Sequence, residues 1–215
     1  MAKTIQKEEA ISFGWGAMKQ HLGLWMLLLF LLALIDIAVS RLIGFVFPRF
    51  LENFLKWVLG TMLCMVLVWT ALRLHDRKPQ NLGELLSAGA RIGSFLVTQF
   101  LMSVLFAVGL FLLIFPAIYW ATQFGLAGLV ALDEGLGPWE AMKRSSALSR
   151  GARWELFLFG LLLVGVNLIG ALALVVGLFA SIPTSVLALV WVYRRLQRMV
   201  DQTAEAAPAP AATGV

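Results

Sequence analysis

The sequence predicts an all-α integral membrane protein: six transmembrane helices arranged as three hairpins, each preceded by an amphipathic interfacial helix. Three observations carry that expectation. The chain of 215 residues is 60% hydrophobic and only 13% charged, against about 25% charged in a soluble domain, so a soluble fold could not bury so much apolar surface. Uncharged stretches such as Leu156 to Tyr193 exceed the roughly 20 residues that cross a bilayer core. Of the 17 basic residues, all but Arg41, Arg49 and Lys56 fall into clusters separated by pairs of apolar stretches. The clusters are Lys3, Lys7 and Lys19; Arg73, Arg77, Lys78 and Arg91; Lys143, Arg144, Arg150 and Arg153; and Arg194, Arg195 and Arg198. The positive-inside rule places them in the cytoplasm, so both termini are expected inside and the number of spans even.

The first unit opens with an amphipathic helix from about Glu8 to His21, with Ile11, Trp15, Met18 and Leu22 at helical spacing opposite Lys7 and Lys19. Its hairpin runs through spans Leu22 to Val46 and Phe54 to Leu74, with a charged connection through Arg41, Arg49 and Glu52. Leu22 to Ile35 also has the length of a signal-peptide apolar region, with Ala38-Val39-Ser40 as a loose cleavage site. The long preceding segment with Glu8 and Glu9 argues for an uncleaved span. The second unit has its interfacial helix near residues 82–91 and spans Ile92 to Ile114 and Ala117 to Leu132, turning at Phe115-Pro116. In the third, Pro138 suits a first helical turn and Glu140 complements the helix dipole. That interfacial helix covers 138–150, and its spans are Glu155 to about Leu174 and about Gly177 to Tyr193. Residues 199–215, rich in Ala and Pro, read as a disordered cytoplasmic tail.

Aromatic residues fit interfacial anchoring: Trp15, Trp139, Trp154, Trp191 and Tyr193 at the cytoplasmic side, Trp57, Tyr119 and Trp120 at the outer side. The net charge of +5 indicates nucleic-acid binding only where a soluble domain displays it. No such domain is left over, so no nucleic-acid partner is expected. Cys64 is the only cysteine and reads as a small core residue. The chain has no His-Glu-x-x-His, no Gly-x-Ser-x-Gly and no Walker phosphate loop. His21 and His75 stand beside span boundaries, too few for a zinc site. Neither catalysis nor a cofactor nor a metal is expected.

Phe115-Pro116-Ala117-Ile118-Tyr119, followed by the run Ala131-Leu132-Asp133-Glu134-Gly135-Leu136-Gly137-Pro138-Trp139-Glu140-Ala141-Met142-Lys143-Arg144-Ser145, resembles a bacterial membrane-protein group. The group is the six-span membrane region attached to some glycerophosphoryl diester phosphodiesterases, with similar stand-alone proteins. The resemblance is best over residues 115–156 and extends loosely to about residue 198. It implies a bacterial inner-membrane location. In those enzymes the chemistry belongs to a separate soluble domain for which this chain has no room, so the activity does not carry over.

Two sets of polar residues stand out. Asp36 is an acid within a span, and such residues mark functional sites by default. Counted from Leu22 it lies about 21 Å along the helix, near the outer boundary, where Ser40 and Arg41 offer local partners. Asn167 in span five and Gln123 in span four are uncharged polar residues that either join helices or line a polar pathway. Lys143, Arg144, Arg150 and Arg153 form the second set, disposed to hold anionic headgroups or a protein partner. Two functional readings follow. One is a non-enzymatic scaffold, lipid-interacting module or accessory subunit, with a membrane-protein partner or a second copy as further candidates; the other is a small transporter or permease component for a lipid or amphiphile.

Overall fold

The computed structural model describes residues 6–79, 83, 89–112, 114–172 and 177–205, and among them it is all-α. The helices are α1 (Lys7–Gln20), α2 (Leu22–Val46), α3 (Arg49–His75), α4 (Gly89–Leu112), α5 (Ile114–Phe124), α6 (Ala127–Asp133), α7 (Pro138–Ser149), α8 (Arg153–Leu172) and α9 (Leu178–Glu205). Four of them, α2, α3, α4 and α8, are long and apolar enough to cross a membrane. This is consistent with a multi-pass membrane protein, but four such helices stand where the sequence predicts six spans.

The two missing spans differ for physical reasons. The span expected over Ala117 to Leu132 is interrupted at Gly125 and Leu126, leaving the short α5 and α6. The last expected span is the first half of a 28-residue helix. There Ser181, Pro183, Thr184 and Ser185 dilute its hydropathy, and its second half carries Arg194, Arg195, Arg198 and Asp201. That helix runs on to Glu205, so 199–205 is helical rather than tail; residues 206–215 lie outside the described part. The turn predicted at Phe115-Pro116 also shifts, because both residues belong to α5, where Pro116 sits in the first turn and needs no intrahelical donor. The interfacial helix expected near 82–91 falls mostly outside the described residues.

The predicted amphipathic helices α1 and α7 form with the expected limits, but each buries one face against protein. In α1 the buried residues are Ala10, Gly14 and Met18; of the predicted stripe only Met18 is among them, while Ile11 is part-buried and Trp15 and Leu22 are exposed. Gly14 is what permits this, since a Cβ there would strike the Thr184 carbonyl oxygen and lie 3.1 Å from the Ala188 nitrogen of α9. Lys7 meets Glu155 at 2.8 Å, so α1 is tied to α8 as well. In α7, Ala141, Met142, Ser145, Leu148 and Ser149 are buried. Glycines with positive φ make the two reversals around it, Gly135 at 67° and Gly151 at 82°. The core joins Trp25, Phe159, Leu187, Val190, Tyr193 and Leu196 from α2, α8 and α9. Cys64, expected in the core, is exposed on α3.

Candidate functional site

The densest polar cluster lies where α3 and α6 end against the middle of α9. Arg194 of α9 uses all five of its N–H donors there. Nη2 donates to Asp76 Oδ2 at 2.5 Å and Nε to Asp76 Oδ1 at 3.1 Å. Nη1 donates to Asp133 Oδ2 at 2.7 Å, Nη2 to Asp133 Oδ1 at 2.9 Å, and Nη1 also to Gln197 Oε1 at 2.9 Å. Both carboxylates are gripped by two donors each, the arrangement that the planar guanidinium fork favours. Tyr193, fully buried, places its hydroxyl 3.0 Å from Asp133 Oδ2 and 3.3 Å from Glu134 Oε1 and accepts from Gln197 Nε2 at 2.7 Å. Gln197 donates to Glu134 Oε1 at 2.9 Å as well. Tyr193 and Gln197 are four residues apart and so share one helix face, with Arg194 beside it.

Electrostatics hold this clasp in its charged form. Burial works against ionisation of Asp76, but the hydrogen bond with His75 and the Arg194 charge outweigh it and keep the carboxyl below its ordinary range. Burial likewise opposes the charge on Arg194, and Asp133 and Asp76 more than restore it. The clasp fixes the loop that leads into α7, since Asp133 and Glu134 directly precede it. Arg144 of α7 returns to the same cluster, 3.4 Å from Glu134 and 3.4 Å from Asp201.

A second polar arrangement lies between α5 and α7. Because α5 stops at Phe124, its last carbonyls lack ordinary intrahelical partners. Ser145 and Ser149, one turn apart on the buried face of α7, both donate to the Gln123 carbonyl oxygen at 3.1 Å. The Gln123 side chain donates to Ser146 Oγ at 2.9 Å. Beside these bonds opens a cleft of about 380 Å3 lined by Gln123, Phe124, Trp139, Met142, Lys143, Ser146 and Arg150. Lys143 lies 5.6 Å from the centre of the Trp139 ring. Among the described residues neither Lys143 nor Arg150 forms an ion pair, so the cleft has two uncompensated cations beside apolar walls.

The candidate residues from the sequence therefore separate. Gln123, Lys143 and Arg150 meet in the cleft, a grouping that joins one residue of the first set to two of the second. Arg144 belongs to the clasp. Arg153 meets Tyr119, donating to its hydroxyl at 2.7 Å with the guanidinium 5.0 Å from the ring centre. This also corrects Tyr119, expected as an anchor on the opposite face from Arg153, and Tyr193, a clasp member rather than an anchor. Asn167 joins α8 to α9, donating to Ser185 Oγ at 2.8 Å and accepting from Ser181 Oγ at 3.0 Å. Asp36 is half-exposed on α2, and among the described residues it has no hydrogen bond or ion pair, neither with Ser40 nor with Arg41. No described cavity brings Asp36, Asn167 and Gln123 together.

Of the clasp residues, Asp76 and Gln197 carry no role in the sequence reading, Tyr193 reads as an interfacial anchor, Arg194 as a topology charge, and Asp133-Glu134 only as part of a motif. The available signal was an Arg at the end of an apolar helix with Tyr and Gln four residues apart beside it. Comparison with family models, with curated proteins and with solved structures gives no match.

Proposed function

We propose that the chain is a six-span bacterial inner-membrane protein with both termini cytoplasmic, acting without catalysis as a lipid-interacting module or accessory subunit. In this reading α5 and α6 together make one interrupted span and the first half of α9 another. The cleft between α5 and α7 is the site, taking the phosphate of an anionic lipid headgroup. The observation that carries the reading is the pair of uncompensated cations, Lys143 and Arg150, beside the Trp139 ring, the Ser146 hydroxyl and the Gln123 amide. Such a surface offers charge and hydrogen bonds to a headgroup while the Phe124 and Met142 side chains meet the first methylenes of its chains. Each basic side chain near a membrane surface contributes about 1 kcal/mol toward anionic lipid. Removing both should therefore weaken retention by about 2 kcal/mol, roughly 30-fold. The test is native mass spectrometry of the protein from nanodiscs of mixed phosphatidylglycerol and phosphatidylcholine. Wild type is expected to retain phosphatidylglycerol selectively and K143Q/R150Q to lose that selectivity; equal retention by the two sinks the assignment. Reporter fusions at residues 47, 113 and 175 and at both ends test the topology.

The alternative, a small transporter or permease component for a lipid or amphiphile, draws support from a different feature. An apolar cavity of about 360 Å3 opens between α4, α5, α8 and α9, with Phe106, Thr122, Gly125, Phe157, Gly160 and Val164 among its lining. It would hold an acyl chain. Transfer of a fluorescent lipid between leaflets of proteoliposomes, lost in G160F, is the outcome that would favour this reading over the first.

A further inference from the structure

Beside the clasp, between the end of α3 and the middle of α9, opens a cavity of about 180 Å3 lined by His75, Trp191, Arg195 and Arg198. Trp191, Arg195 and Arg198 are spaced four and then three residues apart, so at about 100° per residue they share one face of α9, within about 60° of one another. The clasp takes the neighbouring face, where Arg194 turns to Asp76 and Asp133. Helix α9 runs on to Glu205, so Arg198 is carried on ordered helix about two turns short of its end. Among the described residues Arg198 has no hydrogen bond or ion pair, which leaves its five N–H donors for a ligand. Arg195 commits one nitrogen: Nη1 donates to Gln6 Oε1 at 2.5 Å and reaches Glu9 Oε2 at 3.4 Å. Its guanidinium lies 5.1 Å from the centre of the Trp191 ring, which braces the fork.

His75 is oriented by two neighbours. Asp76 is the ionised partner of Arg194 and can only accept, so the 3.2 Å contact with His75 Nδ1 is a hydrogen bond donated by the ring, and Nε2 is the nitrogen left over. Phe13 of α1 packs edge-on against the same ring at 5.3 Å. The lining is thus wholly basic or aromatic, and the acids nearby are engaged, Asp76 by Arg194 and Glu9 by Arg195. Two guanidinium forks offer more donors than the two oxygens of a carboxylate use, and match the several oxygens of a phosphate. The volume is far above the roughly 15 Å3 that one water needs, so a tetrahedral oxyanion has room. We propose that this cavity is a phosphate-binding site, in which Arg198 and Arg195 grip the oxygens of a phosphate monoester group and His75 Nε2 meets a further one. The group is carried by a phosphatidic-acid-type lipid or by a soluble phosphate, and the recognition chemistry is the same for both. The site shares no residue with the cleft between α5 and α7, so the inference does not rest on that reading.

His75 reports on the site directly, because the chain has only two histidines and His21 lies outside the cavity. The full chain is made with K143Q/R150Q, which removes the cations of the other cleft, is labelled with 15N-histidine and is placed in phosphatidylcholine nanodiscs. Inorganic phosphate added at constant pH and ionic strength should move the ring-nitrogen signals of His75 saturably and leave those of His21 in place. The second arm replaces part of the phosphatidylcholine with phosphatidic acid and adds no phosphate. A response to inorganic phosphate supports the site with a soluble ligand, and a response to the lipid alone supports it with a headgroup. R198Q breaks no internal bond among the described residues and should weaken the response to the active probe about tenfold, the loss of charge-assisted hydrogen bonds. K19Q removes the same charge from an exposed residue outside the cavity and should leave the response unchanged. A His75 signal that moves with neither probe overturns the proposal. So does an R198Q variant that responds like its parent, or equal weakening in R198Q and K19Q.

Discussion

Replacing Arg194 with Gln is the most informative single change in this protein. The substitution removes at least three of the five donors and leaves Asp76 and Asp133 facing each other without their shared cation. The side chains involved are only 17% exposed for Arg194 and 19% for each of Asp76 and Asp133. Breaking a buried pair by deleting one partner costs about 3–5 kcal/mol, and partial access of water at this cluster argues for the lower end, about 3 kcal/mol. For a chain of 215 residues, each kcal/mol moves Tm by about 2–4 °C, which gives a drop of about 6–12 °C. The assay is thermal unfolding in detergent, followed by helicity. R194K keeps the charge but loses the two-pronged grip, so it should fall between the variant and wild type. Adding D76N and D133N to R194Q removes the stranded charges and should recover at least half of the loss. A shift under about 1 °C in R194Q, or a further loss on neutralising the two carboxylates, refutes the reasoning.

The same clasp fixes a pH dependence. The Asp76 carboxyl is held below its ordinary range in the folded chain. Its contribution is therefore fully present above the unfolded value of about 3.9 and is lost as pH falls through the lower folded value. Wild type should lose Tm on acidification below about pH 4, and R194Q should show a smaller loss, because its Asp76 has less charge stabilisation left to forfeit.

Two further substitutions test the packing of α8 on α9. N167L conserves volume approximately but removes the bonds to Ser185 and Ser181, and should cost about 1–2 kcal/mol in the same unfolding assay. G170V should be more damaging than N167L, because even a Cβ at that position would stand 2.5 Å from Ser181 Oγ and 2.9 Å from Ser181 Cβ; pairing it with S181G should relieve much of the loss.

How much of this was legible in the sequence depended on the kind of signal. Apolar length is local and additive, so the helices of four spans were readable almost to their ends, and so were α1 and α7. The break at Gly125 was not, because a glycine in an apolar run reads equally well as a packing residue. It shows itself only through Ser145 and Ser149, some 20 residues on, which take up a carbonyl of the interrupted helix. Which face α1 buries against protein is not legible for a related reason. The large residues Ile11 and Trp15 dominate any hydrophobic pattern, whereas close approach to α9 selects the small ones, Ala10 and Gly14. The clasp was the least legible part. Arg194, Asp76 and Asp133 are far apart in the chain and each looks like an ordinary charge at a span boundary. The clustering of basic residues assigns Arg194 to topology, and only the ends of α3 and α6 arriving at the middle of α9 give it a second role.

That second role divides the basic residues around α7 into two kinds, and the division can be measured. Arg144 stands one position from Lys143, and sequence alone treats them as equivalent cations at a membrane surface. In the fold Arg144 faces Glu134 and Asp201, which raise its hold on the proton despite burial and leave little of its charge for a lipid. Among the described residues Lys143 and Arg150 have no acid paired with them. R144Q should therefore lower stability by about 1 kcal/mol, as expected for a partly exposed ion pair, and leave selective retention of phosphatidylglycerol nearly unchanged. K143Q/R150Q should do the reverse, losing the lipid while keeping Tm within about 2 °C of wild type. If R144Q alone abolishes lipid retention at unchanged Tm, Arg144 is a headgroup ligand and its pairing with Glu134 does not persist in the membrane. The separation of the two readouts, stability for one cation and lipid for its neighbour, is what a helix anchored on one face and open on the other requires.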